Sequence, residues 1–206
     1  MNNYSVFQGF QSAEINTLKR LLHSEEQVFP KNSTIMKSSE SEQNCAVILH
    51  GVAYLVRKND FGENKLIDYF EQEQFFSAAF SPYKNGNLYT FVAKKDCTVL
   101  SFSHRWMYPS GETIDPLLLR FLQNIMRSVS IRQKIHIDIL HRQSIREKLV
   151  TCFRYLKGDG NHLRLSFPLS DLSDYLGIDR SAMMREIKKM NSDGMILSKG
   201  PDITLL

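Results

Sequence analysis

The sequence predicts an α+β protein in which an N-terminal β domain is followed by one long α-helix and a C-terminal helix-turn-helix with a small β wing. Three observations support this fold class. Short β-rich runs fill residues 27–104, a stretch without Gly or Pro follows Pro116, and two helical apolar patterns meet at Gly177. The main β-rich region therefore precedes the long helix and the helix-turn-helix.

The composition is that of an ordinary globular protein, with 42% hydrophobic residues and a formal net charge of +4. No apolar stretch approaches the roughly twenty residues that a membrane span needs. The polar start MNNYSVFQGF lacks the basic and apolar regions of a signal peptide. We therefore expect a cytoplasmic protein with no membrane partner, with one large or two small domains.

The β domain is predicted from Gln27 to about His104, after a short helix over residues 12–23. Its β-rich runs are VF before Pro30, STIM, CAVILHGVAYLV, KLIDYF, LYTFVA and CTVLSF, separated by turn sequences such as NDFGEN and SPYKNGN. Six or more short strands with hairpin turns indicate a barrel or a sandwich.

The long helix DPLLLRFLQNIMRSVSIRQKIHIDILH spans about 40 Å at 1.5 Å per residue. Seven of its positions follow the alternating four-and-three spacing of a coiled-coil seam: Leu118, Leu122, Ile125, Val129, Arg132, His136 and Ile139. Packing of the helix on its own domain is the alternative. We favour a seam between two copies of the chain, which predicts a homodimer.

A helix-turn-helix is predicted around Gly177, after a further amphipathic helix in SIREKLVTCFRYLKG and an extended NHLRLSF segment. Leu169, Leu172 and Leu176 share one face of the first helix. Gly177 can adopt the left-handed conformation that ends a helix, and Asp179 can cap the next one. The last residues, MILSKGPDITLL, form two short β runs about a turn, which predicts a wing.

The second helix of this pair has two different faces. Met183, Ile187 and Met190 would pack on the first helix, whereas the remaining circumference is polar and basic. Arginine can donate two parallel hydrogen bonds to guanine, serine can donate or accept, and lysine suits phosphate. The charge distribution is consistent with an anionic partner, because residues 113–206 hold 15 basic and 10 acidic residues against 11 and 12 in residues 1–112.

The chain resembles the Crp/Fnr family of bacterial transcription regulators over essentially its whole length. The match is carried by Asp171, Leu172, Ser173, Leu176, Gly177, Arg180, Arg185 and Gly194, followed by the wing. The resemblance implies a cyclic-nucleotide-binding-like jelly-roll barrel (a double-stranded β-helix) at 1–112, a dimerisation helix at 113–142 and a winged helix-turn-helix at 143–206. It also implies RNA polymerase as a partner if the protein is an activator.

Double-stranded DNA is accordingly the expected main partner. We assign its interface to Asp171, Asp179, Arg180, Ser181, Met184, Arg185, Lys188 and Lys199. In the family, an acidic residue early in the first helix and two recognition-helix arginines contact the operator, so Asp171 could accept from a cytosine or hold Arg180. Pro168 departs from the family pattern, which often has a hydroxyl residue there.

The segment AVILHGVAYLV resembles the family's strand-glycine-strand unit, with Gly51 at the hairpin. The rest of the barrel departs further from the family pattern. Where cyclic AMP would require a Gly-Glu pair for the ribose and an Arg-Ser or Arg-Thr pair for the phosphate, the chain has Ser77, Ala78, Asn87 and Leu88. Because the phosphate would lose its charge-assisted, bidentate partner, we expect cyclic nucleotides to bind weakly or not at all. An unknown effector is considered instead in a possible apolar pocket lined by some of Phe75, Phe76, Phe80, Tyr83 and Tyr89, for which core packing is the alternative.

No catalytic residue, cofactor or metal site is predicted. The cysteines, Cys45, Cys97 and Cys152, are far apart and form no CxxC pair, and none lies near the N-terminus, as an iron-sulfur sensor would need. His50 and Cys45 are more simply strand residues than haem ligands. A cupin-like metalloenzyme would need an His-x-His pair, which the six histidines do not form. A DNA-binding protein that is constitutively active and senses no ligand remains an open alternative.

Overall fold

The computed structural model describes residues 5–37, 44–58, 62, 64–78, 89–107 and 114–206. The chain forms two compact units, Asn3–Ser130 and Ile131–Leu206, and the boundary between them falls inside one long helix. The first unit begins with helix α1, Ser12–Leu21, as the sequence predicts.

Within its described residues, the first unit contains eight antiparallel strands arranged as a jelly roll. The strands are β1 Glu25–Phe29, β2 Thr34–Lys37, β3 Asn44–His50, β4 Ala53–Lys58, β5 Asn64–Phe70, β6 Phe75–Ser77, β7 Tyr89–Ala93 and β8 Cys97–Ser103. They form two four-stranded sheets in the orders β1-β8-β3-β6 and β2-β7-β4-β5. Each predicted β-rich run contains a strand, and the predicted jelly-roll barrel is confirmed.

Gly51 makes the turn between β3 and β4, as the sequence predicts. Its φ of +95° lies in the left-handed region that glycine tolerates best. A Cβ atom at this position would lie 2.3 Å from the carbonyl oxygen of Asp96. The position therefore needs glycine both for the turn and because the backbone of Asp96 and Cys97 approaches it closely.

Among the described residues of the first unit are two apolar clusters. One contains Phe76, which lies 4.6 Å from Phe91 and 5.3 Å from Phe70 between ring centroids. The other contains Phe75 together with Phe102 and Phe121. Consecutive strand residues point to opposite faces, so Phe75 and Phe76 of β6 belong to different clusters.

The long helix α2 runs over Pro116–Leu140, followed by α3 over Ile145–Leu156. At its start, a carboxylate oxygen of Asp115 accepts from the backbone N–H of Leu117 at 2.8 Å. At its middle, the side-chain amide of Asn124 donates to the carbonyl oxygens of Val6 and Gln8 at 3.0 and 2.9 Å. The N-terminal segment is thereby fastened to α2 within the first unit.

The second unit is a winged helix-turn-helix. After the last turns of α2 it contains α3, β9 His162–Arg164, α4 Leu169–Leu176, α5 Arg180–Ser192, β10 Ile196–Lys199 and β11 Asp202–Leu205. The three strands form one antiparallel sheet in the order β10-β11-β9. Leu163, Ile196 and Ile203 are buried and place the core of the unit on the helical side of this sheet.

Candidate nucleic-acid interface

The turn between α4 and α5 has the geometry that the sequence predicts. Leu172, Ser173 and Leu176 are buried on one face of α4. Gly177 ends α4 with φ 62° and ψ 41°, in the left-handed region. Asp179 begins α5 by accepting a hydrogen bond from the backbone N–H of Ala182 at 2.8 Å. The tight turn between the two helices follows from these two local features.

Helix α5 has one buried and one exposed face, as its sequence predicts. Met183, Ile187 and Met190 are at most 4% exposed. The residues assigned to DNA readout lie on the remaining circumference, and all of them are exposed: Arg180, Ser181, Met184, Arg185 and Lys188. We call these five residues the reading face. The arrangement offers two guanidinium groups, a hydroxyl and an ammonium group to a partner in solution.

The two predicted acidic contacts lie at the starts of the two helices. Asp171 is half-buried in the first turn of α4, and one of its carboxylate oxygens accepts from the Ser170 hydroxyl at 3.0 Å. Asp179 is exposed but uses one carboxylate oxygen to cap α5. Asp179 therefore has a structural role that exists without DNA.

The wing is tied to the end of α5 by Asn191, a residue that the sequence analysis missed. Its amide donates to the carbonyl of Ile187 at 3.0 Å, and its carbonyl oxygen accepts from the backbone N–H of Ser198 at 2.8 Å. Lys199 is exposed at the end of β10, next to the turn at Gly200. This amide is one of the contacts that position the strand presenting Lys199.

Arg146 of α3 is a second residue that the sequence analysis missed. Its guanidinium contacts the carboxylate of Glu186 at 2.5 Å and that of Asp193 at 2.9 Å. The hydrogen bonds to Glu186, and then to Asp193, raise the pKa of Arg146 above its usual value. No short-range pattern indicates this contact, because Arg146 and Glu186 are 40 residues apart.

The predicted seam on α2 needs a correction at two positions. Ile125 and Ile139 are 5% and 2% exposed, so each has little surface left for a partner helix. Ile125 packs in the same apolar cluster as Phe121, because this side of α2 covers the first unit. His136 lies against the ring of Tyr175, with 5.4 Å between centroids.

A different set of α2 side chains is exposed. Its large apolar members are between 40% and 62% exposed: Leu119, Met126, Val129, Ile137 and Leu140. These five residues, together with half-buried Leu122 and exposed Gln133, are spaced by three or four residues along the helix, which is the spacing of a coiled-coil seam. We call these five apolar residues and Leu122 the exposed apolar stripe. It shares Leu122 and Val129 with the predicted seam and is rotated relative to it.

The residues of the predicted effector pocket are only partly described. Phe75 and Phe76 belong to separate apolar clusters. Tyr89 is half-buried, shares its strand face with Phe91, and lies 6.0 Å from the guanidinium of Arg57. Phe80 and Tyr83 lie outside the described residues, as do Asn87 and Leu88 of the cyclic-nucleotide comparison. Ser77 accepts from the Cys45 thiol at 3.4 Å, and Ala78 is buried.

The three cysteine thiols are buried and protonated. Burial raises the pKa of Cys45 to about 11 and that of Cys152 to about 12, and it also raises the pKa of Cys97. Because the thiolate is the reactive form, these thiols are poor nucleophiles and poor metal ligands at neutral pH.

Within the described residues, no three His, Cys, Asp or Glu side chains come together as a metal site. Nor is any helix there both long enough and apolar enough to cross a membrane.

No protein-family profile matches the sequence, and no curated protein matches it either. Solved structures do match over most of the chain. The c-di-GMP responsive global regulator CLP from Xanthomonas campestris has 17% identity and a TM-score of 0.68, covering 93% of this chain and 98% of its own. A cyclic nucleotide-binding domain containing protein from Listeria monocytogenes has 14% identity and a TM-score of 0.72, covering 93% and 97%.

A third similar structure is TTHB099, a transcriptional regulator of the CRP family from Thermus thermophilus, with 16% identity, a TM-score of 0.63 and coverage of 87% and 91%. At these identities the likeness shows a shared fold. The predicted fold class, α+β with a jelly-roll barrel, a long helix and a winged helix-turn-helix, is confirmed.

Proposed function

We propose that this protein is a sequence-specific, DNA-binding transcription regulator of the Crp/Fnr type and acts as a cytoplasmic homodimer without catalytic activity. The observation that carries the proposal is the reading face of α5, which is exposed and basic while another face of the same helix is buried. The shared fold with two proteins described as regulators supports it. We retain the domain bounds 1–112 for the sensor barrel, 113–142 for the dimerisation helix and 143–206 for the DNA-binding domain.

Base readout is assigned to Arg180 and Arg185, with Ser181 and Met184 between them on the reading face. Each arginine can pair with the O6 and N7 of a guanine in the major groove. Lys188 and Lys199 suit phosphate contacts, which position the protein without selecting sequence. Asp171 either accepts from a base or orients Arg180.

Selection of random duplexes by the purified protein tests the proposal directly. We expect enrichment of a two-fold symmetric site whose halves lie about 34 Å apart, one helical turn of DNA. Recovery of unselected sequences only would refute sequence-specific binding. Repeating the selection with a small-molecule cell extract separates a sensor from a constitutive binder, because only a sensor changes its enrichment.

Substitutions on the reading face test the assigned roles. Arg180→Ala or Arg185→Ala should each weaken binding to the selected site by about 1–3 kcal/mol and relax the preference for particular bases. Lys188→Ala should weaken binding to all duplexes similarly and reduce the salt dependence. Equal losses on every sequence for the arginine variants would contradict the readout assignment.

The homodimer is assigned to the exposed apolar stripe of α2, which a second copy of the same helix would cover. Met126 is 62% exposed in the single chain, so Met126→Asp leaves the fold intact and should produce a monomer in sedimentation experiments. Leu122→Asp should do the same. Arg127→Asp, on another exposed face of α2, is the control and should remain dimeric.

The effector is proposed to be something other than cyclic AMP, if the barrel senses a ligand at all. Isothermal calorimetry with cyclic AMP should give no saturable heat, and micromolar binding would contradict the sequence argument about the phosphate site. Cyclic di-GMP should be titrated in the same calorimetric experiment, because a regulator of this fold responds to it.

A further inference from the structure

Arg146 joins α3 to three points along the second half of α5 and the segment after it. Its Nε donates to Oε1 of Glu186, in the middle of α5, and one Nη contacts Oδ2 of Asp193, the residue that caps the end of α5. Its other Nη lies 3.6 Å from Sδ of Met195, just before β10. A guanidinium can make these contacts together because its donors point in several fixed directions.

These contacts hold α5 from the side opposite the reading face. A helical residue is rotated by about 100° from its neighbour, so Glu186 lies about 160° from both Met184 and Lys188. Asp193 follows Glu186 by seven residues, which is two turns further along the same face and about 10 Å along the axis. Two anchors on one face resist rotation of the helix about its axis and tilting of its end.

The buried face of α5 does not by itself provide this constraint. Met183, Ile187 and Met190 make apolar contacts, which are weakly directional, and two of the three are methionines, which adapt readily to a shifted neighbour. Base readout is sensitive to such shifts, because a bidentate arginine must meet two fixed acceptors. The ion pairs of Arg146 supply the directional contact that the apolar face lacks.

We propose that Arg146 is a positioning residue for base readout: by holding Glu186 and Asp193 it sets the rotation of α5 and thereby the aim of Arg180 and Arg185. Arg146 makes no contact with a base in this role. The inference rests on the proposed function, because it concerns the accuracy of the same reading face.

A contribution to stability alone is the competing explanation. The side chains of Arg146, Glu186 and Asp193 are 32%, 22% and 39% exposed, and ion pairs of this exposure contribute little to folding. Thermal unfolding therefore has to be measured together with DNA binding. The informative quantity is the ratio of the dissociation constants for a scrambled duplex and for the selected site, which a purely structural role leaves unchanged.

The experiment compares Arg146→Gln with Arg154→Gln in the full-length protein at one salt concentration. Arg154 is exposed on the same helix, so its variant removes the same charge but leaves the contacts of Arg146 with Glu186 and Asp193 intact. We expect Arg146→Gln to lower the ratio about three- to tenfold, since one misaligned bidentate contact loses part of its discrimination. Arg154→Gln should change both dissociation constants by the same factor.

Three further variants separate a positioning role from a role in stability alone. Glu186→Gln should lower the ratio as Arg146→Gln does, and the double variant should add little, because both remove one contact. Arg146→Lys keeps the charge but loses the planar donor geometry of the guanidinium. Its ratio of dissociation constants should lie between those of the wild type and Arg146→Gln. If Arg146→Gln unfolds at a much lower temperature than the wild type, the ratios measured for Arg146→Lys and Glu186→Gln test the positioning role instead.

An unchanged ratio in these variants, with a wild type that prefers its selected site, overturns the positioning role and leaves the proposed function standing. A wild type without any preferred site overturns both.

Discussion

The two ends of α2 are held by different kinds of contact. In residues 116–130 the helix is held by apolar burial: Phe121 is fully buried, and its ring centroid lies 5.8 Å from that of Phe7 and 5.9 Å from those of Phe102 and Trp106. In residues 131–140 buried Ile139 is joined by polar contacts at the surface. Asp138 accepts from the Tyr155 hydroxyl at 2.9 Å and from Arg142 at 2.6 Å.

The difference separates stability from orientation. Apolar burial contributes most of the folding free energy but is weakly directional, whereas hydrogen bonds contribute less and define geometry more closely. We therefore expect the first half of α2 to determine whether the first unit folds. The last turns should determine how exactly α2 and α3 are aligned within the second unit.

Phe121→Ala should produce the largest effect. Removal of a fully buried aromatic ring from this cluster should lower the free energy of unfolding by about 3–5 kcal/mol. Urea unfolding followed by the fluorescence of Trp106, the single tryptophan and a neighbour of Phe121, measures the loss. Arg127→Ala, at an exposed position of the same helix, should stay within about 0.5 kcal/mol of wild type. Equal losses in the two variants would show that the aromatic cluster does not dominate.

Asn124→Ala should produce the next largest loss, about 1–2 kcal/mol, since the carbonyl oxygens of Val6 and Gln8 lose their donor. The same fluorescence assay applies. Asn124→Asp keeps the shape but places carboxylate oxygens against the two carbonyls, and it should be no more stable than the alanine variant. Wild-type stability in Asn124→Asp would exclude these hydrogen bonds as the cause.

The buried thiols predict a loss of stability at alkaline pH. Cys45 and Cys152 have folded-state pKa values of about 11 and about 12, above the value of about 8.5 for an unfolded thiol. As pH rises above that value, the unfolded chain loses protons that the folded chain retains. Each thiol then lowers the unfolding free energy by up to about 1.4 kcal/mol per pH unit, until pH passes its folded pKa.

Urea titrations at pH 8.0 and 9.5 measure this slope, with Cys152→Ala as the comparison. The variant should be less sensitive to pH even though its stability at pH 8 is lower. An identical pH slope in both proteins would mean that Cys152 ionises as readily in the folded state as in the unfolded one.

Tyr155→Phe should have the smallest effect, about 0.5–1 kcal/mol, because it removes one partly exposed hydrogen bond to Asp138. Hydrogen exchange of the last amides of α2 is the suitable measurement, and exchange should accelerate there without a comparable change in α5. A uniform acceleration throughout the second unit would assign Tyr155 to the general stability of the unit instead.

The helix-turn-helix could be predicted closely because its signals are local. A helix end at Gly177, a cap at Asp179 and the spacing of Met183, Ile187 and Met190 each depend on residues within a few positions. The exposed apolar face of α2 could be predicted only in part. Two neighbouring faces of that helix carry apolar residues at coiled-coil spacing, and the spacing does not show which one the barrel covers.

The sequence by itself determined the order of strands and helices, the turn glycines at Gly51 and Gly177, and the basic character of the reading face. These features follow from backbone preferences and from periodicity, which act over short distances along the chain. The tertiary structure alone decided that Ile125 is buried and Met126 exposed, that Phe75 and Phe76 belong to separate clusters, and that Arg146 reaches Glu186. Each depends on which distant segment packs against a given face, and that choice is made by burial and by ion pairs between residues far apart in the sequence.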